Sequence, residues 1–471
     1  MRKKMISTVF ISALASSSLL YAEGALADTM VYSQAGEITD RSALLWARCN
    51  SEQTSRLIFR IFRNGDHDYD GETHDDDDDD RDDEHRRHRT IKRIVNADSD
   101  YTASVKVSGL RDNTRYYYQA SCQPRFGRDK RNAMLGPVSS FTTAAESDEV
   151  DEVRFVWMAD LAGQGWGRNP ELSITDASGE EITGGYVIFD VMSKLNPDFA
   201  VLQGDMIYAD NPIPATKPIP ADVGGGVWTN DPTKDFTAIS LDDFRANWKY
   251  NFGDPKMAAF LASTPVYAQW DDHEVTNNWY PGEVMPSGAP YNGIPADVLA
   301  KRSRQALYEY NPIKGEKIYR KFQHGKHMEL FLLDERSYRG PNPENYNPDG
   351  IEMLGQKQMK WLKRSLKKSK ATWKVISTHD PLGIVTGGPS DRDSWSQDDD
   401  RVLGRELQLA EILSFIKDED IKNVVFLTAD VHFTAAIAYD PARATFTDFE
   451  PFWEFVIGPI NAGAVSYTHL R

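Results

Sequence analysis

The chain reads as a small all-β domain followed by a larger α/β domain, and three observations carry that reading. Between Val31 and Thr143, short segments alternate apolar and polar residues with period two and are parted by turn residues, the pattern of half-buried antiparallel strands in a sandwich. Beyond the acidic stretch Ala144 to Glu152 the texture changes to nearly continuous apolar runs separated by helix-period segments, as in a sheet covered on both faces. The length, 471 residues with 40% hydrophobic content, exceeds one ordinary domain and supplies apolar side chains for two or three.

In chain order, Arg2-Lys3-Lys4 precedes the apolar stretch Met5 to Tyr21 and then Ala25-Leu26-Ala27. This pattern of charge, length and small residues predicts a signal peptide over residues 1–27 and an exported protein, periplasmic or secreted. An uncleaved anchor is the alternative; the shortness of the stretch and its serines count against it. No later run is long and apolar enough to span a bilayer. The all-β domain, residues 28–145, is expected to place strands at Ala43 to Cys49, Arg56 to Phe62, Tyr101 to Val107, Tyr116 to Cys122 and Ser139 to Thr143. Its cysteines, Cys49 and Cys122, are the only two in the chain; export permits them to pair, and sequence leaves the pairing open.

An insert over residues 64–90 interrupts this domain. From Asp66 to Thr90 it holds thirteen acidic residues against four basic ones, with six consecutive aspartates at Asp75 to Asp80. Such a run reads as a disordered hairpin tip, with weak calcium loading as the alternative. It accounts for more than half of the formal net charge of -17, so the rest of the chain is only mildly acidic. No basic stripe is present to neutralise a phosphate backbone, which argues against a nucleic-acid partner.

The α/β domain, residues 152–464, is expected to place strands at Arg154 to Met158, Asp198 to Leu202, Pro265 to Ala268, Met328 to Leu333, Trp373 to Ser377 and Asn423 to Leu427. Helices are expected at Tyr186 to Leu195, Leu241 to Phe252, Pro295 to Tyr310, Leu354 to Ser369 and Gly404 to Lys417. The apolar stripe Leu354, Met359, Leu362 and Leu366 packs the fourth of these on the sheet. Long segments rich in Pro and Gly (210–235, 281–295, 341–350 and 386–400) follow strand ends and are expected to rim one cleft. Trp166, Trp228, Tyr280 and Trp395 are available to line that cleft, with ordinary packing as the plainer account of each.

Five of these strand ends deliver polar ligand types: Asp160; Gln203-Gly204-Asp205 with Tyr208; Asp271-Asp272-His273; His379-Asp380; and Asp430-Val431-His432. One acid closing a strand is commonplace, and five in succession are not. Carboxylates and imidazoles without thiols suit a hard or borderline cation, and this many carboxylates suit two. Two cations about 3.5–4 Å apart can hold a hydroxide and a phosphoryl oxygen for in-line displacement.

The ordered blocks Asp160, Gly204-Asp205-x-x-Tyr208, Asp272-His273-Glu274, His379 and Asp430-x-His432 resemble those of calcineurin-type metallophosphoesterases, and the tyrosine variant is similar to purple acid phosphatases. The fuller resemblance is to the alkaline phosphatase D (PhoD) family. It rests on Gln269-Trp-Asp-Asp-His-Glu-Val-Thr-Asn-Asn-Trp279, Asp334-Glu-Arg-Ser-Tyr-Arg339, Leu354-Gly-Gln-Lys-Gln-Met-Lys-Trp-Leu362 and Leu427-Thr-Ala-Asp-Val-His432. The resemblance implies a metallophosphoesterase-type β-sandwich core flanked by helices and preceded by a small fibronectin/Ig-like sandwich. Ser108 to Tyr118 resembles the turn into the penultimate strand of fibronectin type III domains.

The same resemblance implies a metal-dependent hydrolase of small-molecule or polymer phosphate monoesters and diesters, using a metal-bound hydroxide to attack phosphorus. It implies ferric iron held by Asp205, Tyr208, His432 and the first-block residue Asp160, where the family often has cysteine and this chain has none. That departure leaves the metal's identity open. Calcium would share Asp205 and take Asp430, with Asp272 or Asn277 completing it. His273 is expected to protonate the leaving alkoxide or brace the phosphoryl oxygens. Arg336 and Arg339 are candidates for a bidentate phosphate clamp, Arg336 in a catalytic role and Arg339 in substrate binding, or for salt bridges to Asp334 or Glu335. His379 is a candidate for substrate binding or for the core. The alternatives are a diesterase for phospholipid head groups or teichoic-acid-like polymers, and a catalytically inactive calcium-binding extracellular protein. Phe455 to Ala464 opens a family block that Val465 to Arg471 does not continue, so the reading expects a truncated domain with a non-native tail over 465–471.

Overall fold

The structure, a computed structural model, describes residues 31–463 apart from 52, 64–87, 127–132, 164–166, 170–172, 176–180, 219–220, 222–224 and 231–233. The expected signal peptide, the acidic insert up to residue 87, Trp166 and the tail lie outside the described residues. The insert was expected to run to residue 90, yet His88 already opens a strand.

Among the described residues, seven strands build the first domain: β1 (Val31–Gly36), β2 (Ser42–Cys49), β3 (Ser55–Arg63), β4 (His88–Val95), β5 (Thr102–Ser108), β6 (Arg115–Pro124) and β7 (Met134–Thr142). Two of them, β1 and β4, were not expected. In β1 polar Ser33 and Gln34 are buried, which breaks the alternation, and β4 is almost entirely exposed. Antiparallel pairing gives one sheet in the order β4-β3-β6-β7. Cys49 and Cys122 form a disulfide that ties β2 to β6 across the sandwich.

The second domain contributes β8 (Phe155–Met158), β9 (Phe199–Leu202), β10 (Val266–Ala268), β11 (Arg320–His324), β12 (Met328–Leu332), β13 (Trp373–Ser377), β14 (Val424–Thr428), β15 (Ala435–Tyr439) and β16 (Phe452–Val456). One six-stranded sheet runs β5-β2-β1-β10-β9-β8 and the other β11-β12-β13-β14-β16-β15. The first sheet therefore crosses the domain boundary. Its junction is the parallel pairing of Gly36 with Val266, where a Cβ on Gly36 would meet the Val266 carbonyl at 2.4 Å. Only glycine permits so close an approach.

The period-two rule sorts side chains between layers. Phe199 and Val201 face the apolar layer between the two sheets, whereas Ala200 and Leu202 face the helices α1 (Ile188–Lys194), α2 (Leu241–Phe252), α3 (Pro255–Ser263) and α4 (Ala296–Tyr310). On the other sheet Leu330 and Leu332 face inward, and Phe331 faces α5 (Gly355–Lys368) and α6 (Glu406–Asp418). The result is a β-sandwich core flanked by helices, as expected. Helix α3 was missed although its start was legible: Asp254 caps the N–H groups of Lys256 and Met257, and Pro255 occupies the first turn.

Fully buried polar contacts lock the inter-sheet layer near the domain boundary. The His324 ring stacks on Phe199 with 4.4 Å between centroids, and its Nε2 lies 2.9 Å from the Tyr267 hydroxyl, which donates to the Ile38 carbonyl. Burial pushes the His324 pKa down to about 4, so the folded protein holds this imidazole neutral. The unfolded chain, with an ordinary value near 6.5, binds the proton first as pH falls. This term is fully present above pH 6.5 and is lost between about 6.5 and 4, a change of roughly 3 kcal/mol at most. Urea unfolding at pH 7 and 4.5 should therefore fall off less steeply toward acid in a His324→Phe variant; an unchanged slope would assign the acid lability to other groups.

Candidate metal centre

Strands β9, β8 and β10 run parallel to one another, as do β12, β13, β14 and β16, so the carboxyl ends of these strands gather at one edge of the sandwich. Two glutamines hold the sheets together there. Gln203 donates from Nε2 to Ser377 Oγ (2.9 Å) and to the Leu427 carbonyl (2.8 Å), and Gln269 donates to the carbonyls of Leu333 (2.8 Å) and Ser377 (3.0 Å). Two buried glutamates brace the turns. Glu274 accepts from the N–H groups of Asp205, Met206 and Asp271, each at 2.8 Å. Glu335 accepts from the N–H groups of His379 (3.2 Å) and Asp380 (3.0 Å) and from the Trp395 indole (2.9 Å).

Within this frame four predicted ligands occupy the left-handed backbone region: Asp160 (φ 61°), Asp205 (φ 53°), Asp430 (φ 69°) and His432 (φ 55°). Non-glycine residues adopt it at a cost, and clusters of such residues mark functional sites. The adjoining Gly204, at φ 115°, packs so tightly that a Cβ would meet the Asp271 N–H at 2.5 Å.

The structure brings most predicted ligands together. His432 Nε2 is 2.8 Å from the Tyr208 hydroxyl and 3.5 Å from Asp160 Oδ1. Asp205, Asp272 and His273 each offer a ligand atom within 4.8 Å of the others, as do Asp271, Asp272 and Asp430, and again Asp380, Asp393 and Asp430. Asn277 departs from the expectation. It is exposed, and its contact is a backbone N–H donated to Asp210 Oδ2 (2.8 Å); the following Asn278 N–H reaches Asp272 Oδ2 at 2.6 Å. In this turn the backbone, rather than the asparagine side chain, meets the carboxylates.

Arg336 and Arg339 also differ from a phosphate clamp, since both are buried and engaged by carboxylates. Arg336 pairs with Asp271 (2.6 Å), Asp393 (2.9 Å) and Asp380 (3.4 Å), and Arg339 with Asp393 (3.1 Å) and Asp380 (3.2 Å). The salt-bridge alternative holds with different partners from Asp334 and Glu335. Asp334 instead accepts from the Trp270 indole (2.9 Å), and Glu335 braces backbone. His379 is fully buried, donating from Nδ1 to the Gln203 carbonyl, while its Nε2 has no hydrogen-bond partner among the described residues. Burial and the nearby Arg336 push its pKa down to about 3, so it is a neutral imidazole.

Among the groups sequence reading passed over, Asp210 stands first. Its carboxylate lies 2.7 Å from His273 Nδ1, and the His273 ring stacks on Tyr208 at 4.0 Å between centroids. Burial opposes the charge on His273, but Asp272 and Asp210 outweigh it and raise the pKa to about 9. Burial and then mutual repulsion push Asp205 and Asp430 well above the usual carboxylate range, and burial alone dominates for Asp271 and Asp160. Among the predicted ligands Asp272 is the one held low, where His273 and Arg336 together overcome burial. Asp160 Oδ2 is buried with no hydrogen-bond partner among the described residues. A buried orphan carboxylate oxygen in a set of oxygen and imidazole donors fits a hard or borderline cation. Of the aromatics considered for the cleft, Trp228 packs with Ile213 and Tyr250, and Trp395 is buried against Glu335.

Comparison with known proteins accords with this geometry. Residues 155–470 match the family model of the PhoD-like phosphatase, and residues 30–144 match that of the PhoD-like phosphatase N-terminal domain. Alkaline phosphatase D of Bacillus subtilis (strain 168) is 28% identical over 358 residues, covering 70% of this chain and 53% of that protein. The chain thus spans about half the length of the curated relative it matches. A solved structure of PhoD superposes with a TM-score of 0.67 at 21% identity, covering 92% of this chain and 77% of that one, a likeness of fold. With both of its domains matched, the chain belongs to the PhoD-like phosphatase family.

Proposed function

We propose that this protein is an exported, metal-dependent phosphoric ester hydrolase acting on phosphate monoesters, diesters or both. The observation that carries the reading is the convergence of Asp160, Asp205, Asp272 and Asp430 with Tyr208, His273 and His432 at buried strand ends, a charge density that cations would neutralise. Family membership and the name of the curated relative support a phosphatase. Among the described residues no helix is long and apolar enough to cross a membrane, and the N-terminal sequence pattern supports export.

Asp160, Asp205, Tyr208 and His432 would hold one cation, ferric iron by family resemblance. Asp205, Asp272 and Asp430 would hold a second, calcium by the same resemblance, with Asp271 adjacent. When bound, such a pair lowers the pKa of water to about 7 and so supplies the nucleophile at neutral pH. The chain's own part is positioning and proton transfer. Asp210 fixes His273 through Nδ1, which leaves Nε2 to donate to the departing alkoxide, and the stack on Tyr208 fixes the plane of the ring. The Asp210 carboxylate at Nδ1 favours the protonated imidazole that this role requires. Arg336 and Arg339, saturated by carboxylates, support the aspartates rather than the substrate.

Release of p-nitrophenol from mono- and bis-(p-nitrophenyl) phosphate should be abolished by chelation and return with metal, and the ratio of the two rates ranks monoester against diester. Folded, metal-loaded protein without any release would leave an inactive calcium-binding relative as the reading. His273→Gln should lower kcat by roughly 10²–10⁴-fold for an alkyl ester and far less for a nitrophenyl ester, whose leaving group needs no proton; equal losses on both would remove the general-acid role. Tyr208→Phe should bleach any visible tyrosinate-to-iron absorption, and colour surviving that change would take Tyr208 off the ligand list.

A further inference from the structure

Asp393 lies in the long segment 386–400 and stands with Asp380 and Asp430 in one of the close carboxylate groups. Its carboxylate receives Arg336 Nη1 and Nη2 in a two-pronged pair, both at 2.9 Å, together with Arg339 Nη1 (3.1 Å) and Asn342 Nδ2 (3.0 Å). Its carbonyl accepts from Arg405 Nη1 (2.8 Å) and from Arg339 Nη2, and its N–H donates to the Thr386 carbonyl (3.2 Å). Asp393 is thus fixed from every side. What it fixes in turn is Arg336, whose Nη2 stands 3.9 Å from Asp272 Oδ2, a long ion pair without a hydrogen bond. Asp272, with Asp271 and Asp430, belongs to the carboxylate group proposed for the second cation.

A guanidinium and a divalent cation compete for the same carboxylate oxygens. A shift of about 1 Å would convert the contact with Asp272 into a full ion pair of the usual length. The groups facing Arg336 are Asp271 on its Nε side, Asp380 and Asp393 on its Nη side, and Asp272 toward the cation group, with Arg339 adding a second positive charge to Asp380 and Asp393. Removing the charge of Asp393 would leave two arginines facing fewer anions and draw Arg336 toward Asp272. We propose that Asp393 is a positioning residue that holds Arg336 off Asp272 and so keeps the carboxylates of the second cation open. This rests on the two-cation reading of the site.

The test is calcium titration by calorimetry of chelator-treated protein, wild type beside Asp393→Asn and the double variant Asp393→Asn with Arg336→Gln, with thermal unfolding read on each. Asp393→Asn should weaken calcium binding by about 10–100-fold, the range seen when groups that orient ligands are lost. Removing the freed guanidinium in the double variant should restore the affinity, whereas a purely structural defect would persist or deepen. Wild-type affinity in Asp393→Asn, or a double variant as weak as the single one, would overturn the proposal. Should Asp393→Asn not fold, Arg336→Gln alone should tighten calcium, and unchanged or weaker binding would overturn it. Wild-type protein that binds no calcium would overturn the two-cation reading itself, a result distinct from normal binding in all the variants.

Discussion

Repulsion among buried carboxylates is the constraint on which this structure turns. Asp160, Asp205, Asp271, Asp272 and Asp380 are all at most 2% exposed, and Asp393 lies beside them. Bare charges so close together in a poorly solvated site would cost several kcal/mol each, and the protein answers in two ways. Arg336 and Arg339 pair with Asp271, Asp380 and Asp393, cations supplied by the chain itself, and Arg405 donates to the Asp393 carbonyl. Among the described residues no arginine pairs with Asp160, Asp205 or Asp430, and burial raises their pKa values. The boundary between the arginine-compensated half and the uncompensated half runs through Asp272, which touches both.

The scaffold explains how such a cluster is held. Parallel strands deliver their carboxyl ends to one edge, and the turns after β8, β9 and β14 put their aspartates in the left-handed region. Glu274 and Glu335 perform the same task on opposite sheets, each rising from one turn to hold the N–H groups of the next. The first domain takes part in this rigidity, since β1 extends the sheet that contains β8, β9 and β10. Polar contacts join the sandwich to α2 and α4: Lys249 pairs with Asp100 (3.3 Å), Arg245 donates to the Asp98 carbonyl (2.7 Å), and the Tyr310 hydroxyl donates to Asp100.

Much of this was legible in the sequence because it depends on local rules. The texture change after the acidic stretch Ala144 to Glu152 marked where alternating strands give way to alternating strands and helices, and the apolar runs ending in acids located the strand ends. Helix α2 was expected at Leu241–Phe252 and lies there, with Ser240 and Asp243 forming its capping box. What escaped depends on long-range pairing. The sheet shared between domains rests on one close glycine contact, Gly36 with Val266, that no period in the sequence announces. Arg336 and Arg339 looked like phosphate ligands because Asp393, their main partner, comes from a loop more than fifty residues away. Asp210 was visible two residues past Tyr208, but only folding brings it against His273. Asn277 was read by side-chain type, whereas the turn uses its backbone.

The most direct test of this account is calorimetric unfolding at neutral pH of the metal-loaded protein and of the same protein after exhaustive chelation. If cations neutralise the strand-end carboxylates, removing them should lower Tm by roughly 5 °C or more, and adding metal back should restore it. An identical Tm in both states would mean that the folded chain carries this carboxylate cluster without cations, and would contradict the account at its base.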